Sequence, residues 1–101
     1  MVTLASQVEI PKDVLFRDLG SEAIVLNVRT GVYYGLNDTG TRMWNVLSQH
    51  AGVEQAYRML LAEYDVANDR LRHDLLELIG QLAERGLVDV HEHLLTDPAE
   101  G

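Results

Sequence analysis

Residues 26–44 read Leu26-Asn-Val-Arg-Thr-Gly-Val-Tyr-Tyr-Gly-Leu-Asn-Asp-Thr-Gly-Thr-Arg-Met-Trp44. One strand, a glycine turn and an aromatic strand run directly into a helix start, with Trp44 one turn inside. Arg29-Thr30-Gly31 is a short hairpin loop, and Gly31 supplies the left-handed residue it needs. Val32, Tyr34 and Leu36 form the inward face of the strand that follows, while Tyr33 and Gly35 point the other way. Asn37 or Asp38 can cap the helix through a side-chain oxygen. This layout sets a short strand beside helices, where a free edge can pair with another chain.

Upstream, Val14, Phe16 and Asp18 alternate with Leu15, Arg17 and Leu19, which predicts a strand. Gly20-Ser21 offers a tight reversal. Glu22 to Val28 reads as a second strand with Ile24, Leu26 and Val28 on one face. Residues 1–12 are weakly patterned and are expected to form a flexible arm, ordered from Val8 onward.

Downstream, Met43, Trp44 and Leu47 give the first helix its apolar side, and Gly52 ends it. Val53, Ala56, Tyr57, Leu60, Leu61 and Tyr64 recur at three- and four-residue steps, so a second helix follows. Asn68 or Asp69 is expected to cap a third helix lasting to Arg85, with Gly86 just beyond its end. Leu87 to His91 alternates briefly, as a final strand or wing. The domain is thus expected over 13–93, with a disordered tail over 94–101. Three strands followed by three helices define an α+β, winged-helix-like fold: a three-stranded antiparallel sheet and a three-helix bundle.

The chain has 101 residues, 47% of them apolar, enough for one compact core. Its 8 Lys+Arg against 16 Asp+Glu leave a formal net charge of −8, which disfavours phosphate binding. The third helix is itself slightly acidic, so a winged-helix DNA-binding regulator is the weaker alternative. There is no Cys, hence no disulfide, thiolate zinc site or Cys nucleophile. No apolar stretch is long enough to span a membrane, and no signal peptide is recognisable. A cytoplasmic protein is expected. No nucleophile elbow, P-loop or H-E-x-x-H pattern occurs, so no enzyme and no cofactor is predicted. Asp89, His91 and His93 alternate on one strand face, a weak three-ligand metal arrangement set against a solvated surface run.

The third helix carries more apolar surface than burial requires. At about 100° per residue, Leu71, Leu75, Leu78 and Leu82 fall within an arc of roughly 60°. Ile79, Arg72, Ala83 and Leu76 spill to one side by roughly another 100°, bordered by Asp69 and Gly80. Asp74, Gln81 and Arg85 occupy the opposite shoulder. Either the protein's own sheet and second helix cover the spill, or it lines a groove beside Val32–Leu36. In a groove, Gly80 would let another backbone come close.

Gly31-Val-Tyr-Tyr-Gly-Leu-Asn37, Thr39-Gly40 and Trp44, together with Asp74-Leu75-Leu76 through Leu82 to Gly86-Leu87-Val88, resemble the PqqD-like family of leader-peptide-binding domains, also called RiPP recognition elements. The similarity covers roughly Val14 to Val90. Within the family the chain looks most like the stand-alone recognition proteins of lasso-peptide clusters. Members from the pyrroloquinoline quinone pathway usually carry a Pro-Glu-Gly turn and lack the tryptophan; this chain has Arg29-Thr30-Gly31 and Trp44. A peptide chaperone of quinone biosynthesis is therefore the nearer alternative.

The resemblance implies that a precursor's leader adds as a fourth strand to Val32, Tyr33, Tyr34, Gly35 and Leu36 and lies against the third helix. Lasso leaders of this type show a Tyr-x-x-Pro element whose Tyr and Pro enter an apolar groove. On the phase above, Arg72, Leu76, Ile79, Gly80 and Ala83 wall that groove, with Arg72 free to meet a leader carboxylate and Asp69 to accept a hydrogen bond. The implied partners are a cysteine protease and a macrolactam cyclase.

Overall fold

The computed structural model describes residues 2–20, 22–63 and 67–92. The expected positions of Ser21 in the first reversal, Tyr64 at the second helix end, His93 and the tail over 94–101 lie outside them. The chain runs β1 (Ser6–Glu9), β2 (Val14–Asp18), β3 (Ala23–Asn27), β4 (Tyr33–Leu36), α1 (Asp38–Gln49), α2 (Val53–Glu63), α3 (Asn68–Glu84) and β5 (Asp89–Glu92). The central elements follow the expected α+β order: a three-stranded antiparallel sheet, β2-β3-β4, then three helices.

The segment expected as an arm is not loose throughout. Ser6–Glu9 pairs antiparallel with Asp89–Glu92, from Ser6↔Glu92 to Glu9↔Asp89. Val8 and Ser6 are buried, and the Val8 N–H donates to the Ala51 carbonyl at 2.8 Å. The ribbon and the segments flanking β1 add Val2, Leu4, Val8, Ile10 and Val90 to the core cluster.

In β3 the face opposite Ile24 and Leu26 is the one that turns to the core. Ala23, Val25 and Asn27 are buried, while Ile24 and Leu26 are half-exposed and Val28 is exposed. Asn27, 3% exposed, stays on the inner face because its side chain is hydrogen-bonded through both its nitrogen and its oxygen. Its amide nitrogen donates to the Gly86 carbonyl at 3.1 Å, and its Oδ1 accepts the Arg29 and Thr30 N–H groups at 2.9 and 3.1 Å. One polar side chain thus shapes the β3–β4 turn and ties it to the end of α3. Gly31 completes that turn at φ +80.

Asn37 caps α1 by accepting the Gly40 N–H at 2.8 Å. Met43, Trp44, Val46 and Leu47 are buried, and Trp44 stacks on Phe16 of β2 with centroids 6.3 Å apart. The expected side-chain cap of α3 is absent: its N-cap is Ala67, with no capping bond. Asp69 instead pairs with Arg72 at 3.2 Å. Gly86, at φ +72, ends α3 as expected. Its N–H reaches the Ala83 carbonyl and that of Leu87 the Leu82 carbonyl, the paired bonds of a Schellman cap.

Candidate functional site

Sheet order leaves β4 with one neighbour, β3, and no partner on its other side among the described residues. Hydrogen-bond phase then decides which groups are free. The Asn27 N–H donates to the Val32 carbonyl at 2.9 Å, one step beyond the Leu26↔Tyr33 pair. Antiparallel pairs alternate between bonded and non-bonded. Tyr34 and Leu36 therefore direct their N–H and C=O groups to β3, and Tyr33 and Gly35 direct theirs to the open edge. Among the described residues nothing lies within 4 Å of a Cβ built on Gly35, so the sheet face is open at that position.

This edge borders a cleft of about 400 Å³. Tyr34, Gly35 and Leu36 form its sheet side, and Asn37, Thr39, Gly40 and Met43 its floor at the start of α1. Asp74, Glu77, Leu78 and Gln81 of α3 form the far wall. The Tyr34 hydroxyl donates to Gln81 Oε1 at 2.9 Å, joining the two walls. The Arg85 guanidinium lies 5.0 Å over the Tyr34 ring and donates to the Gln81 carbonyl at 3.1 Å.

The groove exists beside β4, but the wall is the other shoulder of α3. Ile79 is 0% exposed and belongs to the core, so its side chain cannot line an open groove. Leu76 and Ala83 are half-buried against that core. Arg72 and Asp69 are exposed and pair with each other. Gly80 has open space around a built Cβ, with no other described segment within 4 Å of it. Of the α3 residues expected at the site, none lines the cleft; Asp74, Glu77, Leu78 and Gln81 do. Of the wide apolar arc, Ile79 is taken into the core and Leu76 and Ala83 pack half-buried at its margin. On β4, Tyr34, Gly35 and Leu36 line the cleft, Tyr33 is 65% exposed on the outer face, and Val32 lies just before the strand.

Outside the cleft, Leu15, Leu26 and Tyr33 form one cross-strand row on the outer sheet face, with Leu15 and Tyr33 exposed. Of the weak Asp89, His91 and His93 alternation, His91 contacts Glu9 across the ribbon at 3.0 Å, and His93 lies outside the described residues. His73, Asp74 and Glu77 do bring ligand atoms within 4.8 Å of one another. All three come from one exposed helix surface and lack the supporting shell that orients metal ligands.

An open strand edge over a helix-walled cleft is a geometry that suits the addition of an extended peptide strand. The family model described as coenzyme PQQ synthesis protein D (PqqD) matches residues 22–88, and the chain belongs to this family. Two solved structures share the architecture. One, TbiB1 in complex with the TbiA(beta) leader peptide, is 28% identical, with a TM-score of 0.72, over 80% of this chain and 94% of that one. The other, lasso peptide synthetase B1 complexed with the leader peptide, is 23% identical, with a TM-score of 0.69, over 82% and 98%. No curated protein sequence matches the chain.

Proposed function

We propose that this protein binds the leader of a ribosomally made precursor as an added strand on β4, without catalysing a reaction itself. Tyr33 and Gly35 supply the backbone hydrogen bonds. The cleft between β4 and α3 takes leader side chains, with Leu36, Met43 and Leu78 as its apolar surface. The observation that carries the reading is the unpaired β4 edge beside that cleft. The similarity to TbiB1, solved with a leader peptide, supports it, and the shared fold of lasso peptide synthetase B1 favours lasso-peptide maturation over the quinone alternative. The acidic α3 surface does not suit duplex binding.

Holding the leader raises the local concentration of the attached core peptide for a partner cysteine protease and a macrolactam cyclase. The outer row of Leu15, Leu26 and Tyr33 stays uncovered when β4 is occupied and is available to such a partner.

Amide exchange tests the reading directly. A synthetic peptide containing Tyr-x-x-Pro should slow exchange at the Tyr33 and Gly35 amides, while those of Tyr34 and Leu36 are already protected in the free protein. Replacing the peptide's Tyr by Ala should weaken binding about 10- to 100-fold, about 1.5–3 kcal/mol for one buried aromatic. Saturating peptide with no change at Tyr33 and Gly35 would falsify strand addition.

A further inference from the structure

Among the described residues, Asp74 and Glu77 are the charged ones that line the cleft. They stand three residues apart on α3, and their carboxylate oxygens lie within 4.8 Å of each other. One ammonium or guanidinium group can therefore engage both. Each already has a weak contact on the solvent side: Asp74 with Arg70 at 3.7 Å and Glu77 with His73 at 3.6 Å. Arg70 and His73 are largely exposed, and neither contact is a hydrogen bond at that distance. The carboxylates thus keep acceptor capacity toward the cleft. The nearest cation at the other end, Arg85, is held over Tyr34 and on the Gln81 carbonyl. The chain's formal charge of −8 adds a field that attracts cationic segments and repels acidic ones.

We propose that the cleft selects extended peptides bearing a lysine or arginine where the added strand crosses Asp74 and Glu77. This rests on the leader-binding reading and narrows its ligand to a basic-residue-containing segment. The carboxylates fix which peptides enter, while the β4 backbone supplies sequence-independent pairing.

The test uses a displayed library with a fixed Tyr-x-x-Pro element and randomised flanks, panned at low salt against the full chain. Recovered peptides should share Lys or Arg at one constant offset from the Tyr. Changing that residue to Glu should weaken binding about tenfold at low salt and less at high salt, as expected for a screened charge contact. The Asp74→Asn/Glu77→Gln double variant should lose the preference. Both positions are solvent-accessible, and a thermal melt checks folding; the peptide-side Lys→Glu change needs no protein variant. Suppose recovered peptides protect the Tyr33 and Gly35 amides but show no favoured basic position, or tolerate Lys→Glu within about twofold. Leader binding then stands and the charge selection is refuted. Recovery of no peptide above background refutes both.

Discussion

Asn27 shows how a single side chain can mislead a pattern reading and still fix a structure. Alternation alone could not decide between Ala23/Val25/Asn27 and Ile24/Leu26/Val28 as the inner face, and a polar residue argued for the second set. The first is buried because Asn27 satisfies two nearby N–H groups and a carbonyl 59 residues away in sequence. Asn27→Ala should cost about 2 kcal/mol or more, since it strands those partners in partly buried surroundings. Urea unfolding measures this, and a change below about 0.5 kcal/mol would contradict the assigned role. Trp44, by contrast, was legible, because a tryptophan one turn inside an apolar helix face has only the core to enter.

At the level of elements, strand and helix spans were legible because alternation, glycine turns and the Gly86 cap all agreed. The site was half legible. The open β4 edge could be read from its place in the chain. The angular phase of α3 matches the buried Leu71, Leu75, Leu78 and Leu82, but the groove was assigned to the apolar shoulder rather than to the one that carries Asp74 and Gln81. Polar residues line that wall because an unfilled cleft is wet; Asp74, Glu77 and Gln81 therefore looked like ordinary surface. Gly80 separates the two assignments. Gly80→Ala should stabilise the fold by about 0.5–1 kcal/mol through helix propensity, since a Cβ there meets nothing, and should leave peptide affinity unchanged. A thermal melt and a titration check both halves, and a large loss of affinity would return the ligand to the other shoulder.

A second element-level prediction concerns the α1–α2 contact. Arg42 donates to both carboxylate oxygens of Glu63, through Nε at 2.7 Å and through its terminal nitrogen. This bond holds the Glu63 carboxyl below its ordinary range, against a smaller opposing effect of burial. A depressed folded value means the stabilisation is present above the unfolded value and is lost as pH falls through the folded one. Glu63→Gln should therefore flatten the acid side of a stability-versus-pH curve and change little elsewhere. Urea midpoints across the acid range would show it; identical acid slopes in both proteins would exclude the effect.

For the whole molecule, the feature least visible in sequence was the β1–β5 ribbon. Four-residue strands with Gln7 and Glu9 outside and Ser6 inside carry almost no periodic signal, and their partner lies at the far end of the chain. Ser6 is buried because it serves its own segment, its Oγ accepting the Thr3 N–H at 3.0 Å. No local rule reports a pairing made across the length of a domain. In the same way, the wide α3 arc could not be closed on paper without knowing that the two ends return to the core.

That ribbon also sets an order of assembly. The Glu9–His91 contact spans 82 residues, among the longest chain closures the protein makes, and such closures bear the largest entropic cost before contacts repay it. On a ribosome the first strand can bond Ala51 once that residue emerges, but its pairing with Asp89–Glu92 must wait until nearly all of the domain has emerged. The Gln7 and Glu9 amides, which alternation with Val8 turns toward Asp89–Glu92, should accordingly be the last of the sheet amides to gain protection in pulse-labelled refolding, and the earliest to exchange when the native protein opens under mild denaturant.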